Sequence, residues 1–128
     1  MGDTTTQMGA FFVEAAMYQD SIVLCGSSSY TKKFYLDENF ESLPEQVKEE
    51  LKIMCVLYTE DIGGVLTLRY DEDGNLEFDV SHEENDYFFD EIGSVLKVKQ
   101  LRNEKRDLLE ALELYYKVFF LGEDVPEE

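Results

Sequence analysis

The feature that most constrains the fold is a pair of alternating segments joined by a five-residue polar turn. In residues 65–70, and again in 76–81, every second side chain is large and apolar, and most of those between are polar. Such alternation is typical of a strand with one buried face. The intervening Asp71-Glu-Asp-Gly-Asn75 has the composition of a hairpin turn. The sequence therefore predicts an antiparallel hairpin that lays one face on a core.

Two short segments near the N-terminus predict further strands. Residues 21–25 are largely apolar and run into Gly26-Ser-Ser-Ser29, which we interpret as a turn. Residues 33–36 form the second segment, and we expect the two to lie in the same sheet as the hairpin.

A helix is predicted at about 44–60. Ser42 and Glu45 have the spacing of a capping box, and Pro44 suits a first helical turn. Apolar residues then recur at helical spacing at positions 47, 51, 54, 55 and 58. Gly63-Gly64 provides the stop, because glycine adopts the left-handed conformation without steric cost.

A long C-terminal helix is predicted at about 98–121. One apolar stripe runs through residues 101, 108, 112, 115 and 119, and Leu114, Val118 and Leu121 add a second apolar side. A helix that is apolar on two sides must be covered twice, either within the chain or by a second copy. Upstream, the apolar residues of 87–97 do not follow the stripe of the C-terminal helix. Residues 87–97 can therefore be interpreted as a separate short helix, and residues 95–99 alternatively as a strand. The helix is favoured.

These elements define an α+β domain, with a small antiparallel sheet (hairpin 65–70/76–81 plus the N-terminal strands) packed by the two helices. We expect a flexible extension at 1–20, a single domain at 21–121 and an acidic tail at 122–128. The 128-residue length suffices for one buried core, and an apolar fraction of 44% argues against disorder.

Charge narrows the range of partners. The chain has 29 acidic and 11 basic residues, for a net charge of −18, which repels nucleic acids and anionic lipids alike. Apolar runs are too short to span a bilayer, and the N-terminus has no basic stretch of a signal peptide. We therefore expect a cytoplasmic protein with a protein partner, no nucleic acid and no membrane.

The charges are also unevenly placed. Residues 71–91 hold ten carboxylates and no lysine or arginine, whereas residues 97–106 carry a local charge of +4. Two interpretations stay open. The basic segment is a solvated helix face, or it docks on the acidic hairpin within one chain or across a dimer.

Residues that carry chemistry are few. The acidic run 71–82 fails as a calcium loop, because glycine stands at its fourth position and His82 at its twelfth. The segment 26–33 has serines and lysines but not the order of a phosphate-binding loop. His82 is the only histidine. Cys25 and Cys55 lie in apolar runs, as expected of buried, reduced thiols. We expect no cofactor and no metal.

Several runs resemble a family of small acidic proteins with a domain of unknown function from Gram-positive anaerobic bacteria. They are Tyr30-Thr-Lys-Lys-Phe-Tyr35, Leu43-Pro-Glu45, Val56-Leu-Tyr-Thr-Glu-Asp-Ile-Gly-Gly64, Asp90-Glu-Ile-Gly-Ser94 and Leu109-Glu-Ala-Leu-Glu-Leu-Tyr-Tyr-Lys117. The likeness covers about residues 22–123. It implies a bacterial cytosolic protein and supplies no activity or site residues.

The sequence thus favours a non-catalytic protein–protein interaction module that can form a homodimer. An acidic decoy or immunity-type inhibitor, covering a basic surface of its target, is the alternative, and a small enzyme using His82 is a third hypothesis. The candidate interaction residues are Asp71, Asp73, Glu77 and Asp79 on the acidic surface, and Leu114, Val118 and Leu121 for self-association.

Overall fold

The computed structural model describes residues 22–123, which form a four-stranded antiparallel sheet with helices packed on one face. In chain order the elements are β1 (Ile22–Ser28), β2 (Lys33–Leu36), a short 3-10 turn (Glu38–Phe40), α1 (Glu45–Ile62), β3 (Val65–Tyr70), β4 (Leu76–Ser81), α2 (Glu91–Glu104) and α3 (Arg106–Phe119). The strand order is β2-β1-β3-β4. The predicted α+β fold is confirmed. The expected extension 1–20 and most of the expected tail 122–128 lie outside the described residues.

The hairpin and its register agree with the prediction from alternation. Tyr70 pairs with Leu76, Leu68 with Phe78 and Leu66 with Val80, so the apolar side chains share one face. The turn places Gly74 at a φ of +89°, where only glycine is free of strain. The carboxylate of Asp71 accepts hydrogen bonds from the backbone N–H groups of Asp73 and Asn75, both at 2.9 Å, and thereby fixes the turn.

The prediction of a turn at residues 26–29 was wrong, because β1 continues through Ser28. Small side chains allow this continuation: a Cβ on Gly26 would lie 3.1 Å from the Leu66 carbonyl oxygen of β3. Ser27 is buried, and its hydroxyl lies 2.8 Å from the Thr59 hydroxyl on α1. A polar residue is tolerated inside this strand because a helix supplies its hydrogen-bond partner.

Helix α1 forms where it was predicted, but the capping box does not. Pro44 occupies the cap position without a side-chain hydrogen bond. The hydroxyl of Ser42 instead lies 3.1 Å from that of Tyr115 on α3. Contrary to the prediction from the local sequence, the Ser42 side chain therefore contacts α3 instead of capping the start of α1. The helix stops at Gly63 as expected, with φ at +93°.

The predicted C-terminal helix is two helices that meet at Lys105, so its expected extent of about 98–121 was wrong. Residues 91–104 are helical, which excludes the strand considered for 95–99. Beyond the break the buried stripe of α3 is Leu109, Leu112 and Tyr116, so of the predicted stripe residues within α3 only Leu112 is buried, and Phe119 is exposed. A straight helix keeps residues seven apart on one face, but a kink resets that register.

The core lies between the sheet and the helices. Its buried apolar side chains are Leu24, Cys25, Phe40, Leu43, Leu51, Met54, Cys55, Tyr58, Ile62, Leu66, Leu68, Tyr70, Leu76, Leu101, Leu109, Leu112 and Tyr116. Tyr70 and Tyr116 stack at 4.1 Å between centroids, and Phe120 stacks on Tyr116 at 4.9 Å. Phe40, in the turn after β2, stacks on both Tyr70 and Phe120. The hairpin and the residues around Phe40 therefore cover one side of the C-terminal helix, whereas Leu114 and Leu121 on its second apolar side are exposed.

Candidate interaction surface

Five of the six large apolar side chains that are at least 60% exposed in residues 22–123 lie in residues 87–96, and the sixth is Phe119 on α3. Tyr87 is 89% exposed, Phe88 96% and Ile92 77%, and Val95 and Leu96 on α2 are also exposed. Single exposed apolar residues are ordinary on protein surfaces, but a concentration within ten consecutive positions is typical of an interaction site. Sequence reasoning did not select these residues. The available signal was that residues 92, 95 and 96 fall outside the stripe of the C-terminal helix.

A network of contacts fixes the loop that carries Tyr87 and Phe88, which we call the 82–90 loop. The hydroxyl of Tyr30, in the turn between β1 and β2, donates to Asp86 Oδ2 at 2.5 Å and accepts from the Glu83 N–H at 3.0 Å. Asp86 Oδ1 accepts from the N–H of Phe88 at 3.1 Å. Desolvation of the hydroxyl, followed by the bond to Asp86, raises the pKa of Tyr30, and the bond from the Glu83 N–H lowers it in part.

The far end of the loop is held by aromatic packing. Phe89 stacks on the His82 ring at 4.4 Å between centroids. Its ring also lies so close to Gly64 that a Cβ there would be 2.8 Å from Cε1 of Phe89 and 2.6 Å from the Ser81 carbonyl oxygen. Asp90 then caps α2 by accepting the Gly93 N–H at 2.8 Å. The loop therefore presents Tyr87 and Phe88 on a constrained backbone.

Both ring nitrogens of His82 lie near oxygen atoms of neighbouring residues. Its Nδ1 lies 2.9 Å from the Glu83 carbonyl oxygen, and its Nε2 lies 3.6 Å from Glu91 Oε2. Cys25 and Cys55 are fully buried, and their Sγ atoms are 3.9 Å apart. The contact with Cys55, together with burial, raises the pKa of the Cys25 thiol. The expected burial of both thiols is confirmed, and neither is accessible to a substrate.

Helix α2 is bound to the rest of the fold through one side only. The hydroxyls of Tyr58 and Ser94 lie 2.6 Å apart, and Lys97 forms a salt bridge of 3.5 Å with Asp61 of α1. Burial raises the pKa of Tyr58, and the hydrogen bond to Ser94 lowers it in part. Leu101 completes the buried side. Ile92, Val95 and Leu96 occupy the opposite side of the helix.

The acidic candidates stand on the hairpin and its turn. Asp73, Glu77 and Asp79 are exposed, and Asp71 is partly buried because it holds the turn. Asp79 forms a salt bridge of 3.2 Å with Arg69 on the neighbouring strand. Within residues 22–123, no group of three or more His, Cys, Asp or Glu side chains is arranged to hold a metal ion.

The basic segment 97–106 contacts the hairpin without pairing to its carboxylates. Arg102 donates to the Leu76 carbonyl oxygen at 3.3 Å, and its guanidinium lies 4.9 Å from the centroid of the Phe78 ring. Arg106 bonds to Asn103. In the part of the chain that the structure describes, no salt bridge joins residues 97–106 to residues 71–91.

The self-association candidates lie on α3 and just beyond it. Leu114 and Leu121 are 41% and 40% exposed, and Val118 is partly buried. Leu121 packs beside the hairpin turn, where a Cβ on Gly74 would lie 3.2 Å from its Cδ1. These three side chains are each less exposed than Ile92, Val95 or Leu96.

A cleft of about 490 Å³ separates the end of α1 from the turn between β1 and β2. Ser28, Ser29, Lys32 and Lys33 line one side of it, Glu60 and Asp61 the other. The Ser28 hydroxyl already accepts two backbone N–H groups of its own turn. This mixture of charges and occupied hydroxyls does not form a phosphate site.

Fold and surface together define a small α+β domain whose distinctive feature is an exposed apolar surface beside acidic residues. Residues 21–124 match a family of unknown function, DUF6145, and the chain belongs to that family. No curated protein and no solved structure matches it. Among the described residues, no helix has the length and apolar character needed to cross a membrane.

Proposed function

We propose that this chain is a non-catalytic protein–protein interaction module, which binds another protein or a second copy of itself. The observation that carries the proposal is the exposed apolar segment 87–96, with Phe88 at its most exposed point. Aromatic side chains at the centre of an interface contribute a large share of binding energy. The constrained 82–90 loop reduces the conformational entropy lost on binding. We place the protein in the cytoplasm of a Gram-positive anaerobic bacterium, without nucleic-acid or membrane partners.

Affinity capture tests this proposal when variants are compared side by side. The tagged wild type, Phe88→Ser and Leu114→Ser are each incubated with a bacterial lysate at low and high salt. We expect a defined partner, or the chain itself, to be retained by the wild type and by Leu114→Ser but not by Phe88→Ser. Equal retention by all three would contradict a role for residues 87–96. Retention of nothing specific would contradict the interaction role.

The alternative is an acidic decoy or immunity-type inhibitor that covers a basic surface. The observation in its favour is that Asp73, Glu77 and Asp79 are exposed within a segment of ten carboxylates. Electrostatic complexes of this kind weaken steeply with ionic strength. A quadruple variant, Asp71→Asn with Asp73→Asn, Glu77→Gln and Asp79→Asn, is expected to lose a basic partner that Phe88→Ser retains. A partner that survives high salt would contradict this alternative.

A further inference from the structure

We propose that the outer face of α2 is a homodimer interface in which two copies of the helix pack antiparallel. The outer face comprises Ile92, Val95, Leu96, Lys99 and Asn103, which follow one another at helical spacing. The inference rests on the proposed interaction role and identifies its occupant as a second copy of this chain.

The outer face is apolar toward the start of the helix. Ile92, Val95 and Leu96 are exposed there, whereas Ser94 and Leu101 on the inner side are buried. The helix therefore has a buried inner side and an exposed apolar outer side, a pattern that requires two covers. Tyr58 and its neighbours on α1 provide only one of them.

The distribution of charge along α2 indicates that a second copy of the chain covers its outer face. Glu91 stands at the start of α2 and the exposed Lys99 in its second half, whereas Lys97 and Arg102 already contact α1 and the hairpin of their own chain. A two-fold interface must be complementary to itself, and an antiparallel pair of such helices meets that condition. With the axis beside Val95 and Leu96, Lys99 lies against Ile92 and close to Glu91 of the partner subunit.

A second copy fits this face better than it fits α3. Leu114 and Leu121 are each less exposed than Ile92, Val95 or Leu96, and Leu121 is already packed beside Gly74. A parallel arrangement of α2 is disfavoured because it would bring the carboxylates of the two helix starts together. The acidic 82–90 loop instead lies near the basic second half of the partner helix, with Tyr87 and Phe88 at the flanks.

The helix pair is short, so a moderate affinity is expected. Ten overlapping residues extend for roughly 15 Å, and stable dimers bury on the order of 1,200 Å² in total. Tyr87 and Phe88 therefore have to contribute at the edges. The net charge of −18 on each copy opposes association, and added salt screens that repulsion. The dimer should persist, or become tighter, as the salt concentration rises.

Sedimentation velocity on the full chain, from about 1 to about 300 μM, tests the inference. We expect a monomer–dimer equilibrium whose Kd rises at least about 10-fold in Leu96→Ser, which loses the side chain in both copies. Leu114→Ser is the matched control, and its Kd should stay within about 2-fold of the wild type. Circular dichroism establishes that each variant is folded.

A charge exchange supplies a second, independent readout. Lys99→Glu should weaken the dimer by roughly 2- to 5-fold, as expected for an exposed ion pair, and Lys99→Glu combined with Glu91→Lys should restore it. A parallel arrangement, or a different face, predicts no restoration, and that result overturns the inference.

The remaining outcomes separate this inference from the proposed function. A chain that stays monomeric up to the highest concentration overturns the α2 dimer, and capture of another protein that depends on Phe88 would leave the interaction role standing. A dimer weakened by Leu114→Ser but not by Leu96→Ser also overturns it and assigns self-association to α3. A monomer that captures nothing contradicts both proposals.

Discussion

The hydroxyl of Tyr30 lies 2.5 Å from the carboxylate of Asp86, although the two residues are 56 positions apart in the chain. Tyr30 belongs to the turn between β1 and β2, and Asp86 belongs to the 82–90 loop that displays Tyr87 and Phe88. The hydrogen bond joins the turn that leads into edge strand β2 to the loop that follows the opposite edge strand, β4. A turn far away in sequence thus positions the exposed aromatic pair.

We expect Tyr30→Phe to loosen the 82–90 loop without unfolding the domain. The substitution keeps the ring but removes the donor to Asp86 and the acceptor for the Glu83 N–H. Hydrogen exchange of the amides of Glu83 and Phe88 should accelerate, because opening of the loop then requires fewer hydrogen bonds to break. The amides of β3 serve as the internal control. Unchanged exchange in the loop would show that Phe89 alone holds it.

Gly64→Ala should destabilise the domain by about 2 kcal/mol or more. The residue has a φ of +74°, and a Cβ would lie 2.6 Å from the Ser81 carbonyl oxygen and 2.8 Å from the Phe89 ring. Gly122→Ala is a matched control, since Gly122 has the same φ with no atom within 4 Å of the added Cβ. It should cost about 1 kcal/mol or less. Urea denaturation measures both, and equal losses would mean that the backbone conformation alone matters.

Tyr70→Phe should lower the free energy of unfolding by about 1–2 kcal/mol. The buried Tyr70 hydroxyl donates to the Leu112 carbonyl oxygen of α3 at 2.9 Å, and the variant keeps the stacking on Tyr116. Tyr35→Phe provides the comparison. Tyr35 is exposed, so the removal of its hydroxyl should lower the free energy of unfolding by no more than about 0.5 kcal/mol. If thermal or urea melts gave equal values for the two, the bond to Leu112 would contribute nothing to docking of α3.

Stability should fall with alkaline pH in two stages. The contact with Cys55, together with burial, raises the pKa of Cys25, and burial raises that of Tyr70. The folded chain therefore holds protons that the unfolded chain releases, first above the ordinary thiol pKa of about 8.5 and then above the tyrosine pKa of about 10. Each group contributes a slope of about 1.4 kcal/mol per pH unit.

The variant Cys25→Ala separates these two stages. Its stability should be lower at neutral pH, and it should lack the decline that begins near the ordinary thiol pKa while keeping the tyrosine stage. Urea melts across the alkaline range measure both chains. A wild-type stability that stayed flat until the tyrosine stage would contradict the assigned thiol environment.

The sequence by itself determined the local elements. The alternation in residues 65–70 and 76–81 favoured one register for the hairpin, because a slip by one residue would expose Leu66 and Leu68. The glycine pair at 63 and 64 determined where α1 ends. The composition determined the net charge of −18. These features depend on a few neighbouring residues, so they can be read before the fold is known.

Only the tertiary structure decided which side chains of those elements contact one another and where a predicted helix breaks. Ser42 does not cap α1, whose cap position is Pro44, and its hydroxyl lies 3.1 Å from that of Tyr115. The Ser27 hydroxyl, buried within β1, lies 2.8 Å from that of Thr59 on α1. The break at Lys105 turned α3 onto Tyr70 and replaced the stripe that a straight helix predicts. The candidate surface at residues 87–96 could not be predicted from the sequence either. Exposure depends on what the rest of the chain leaves uncovered, and a linear pattern shows only which side chains are apolar.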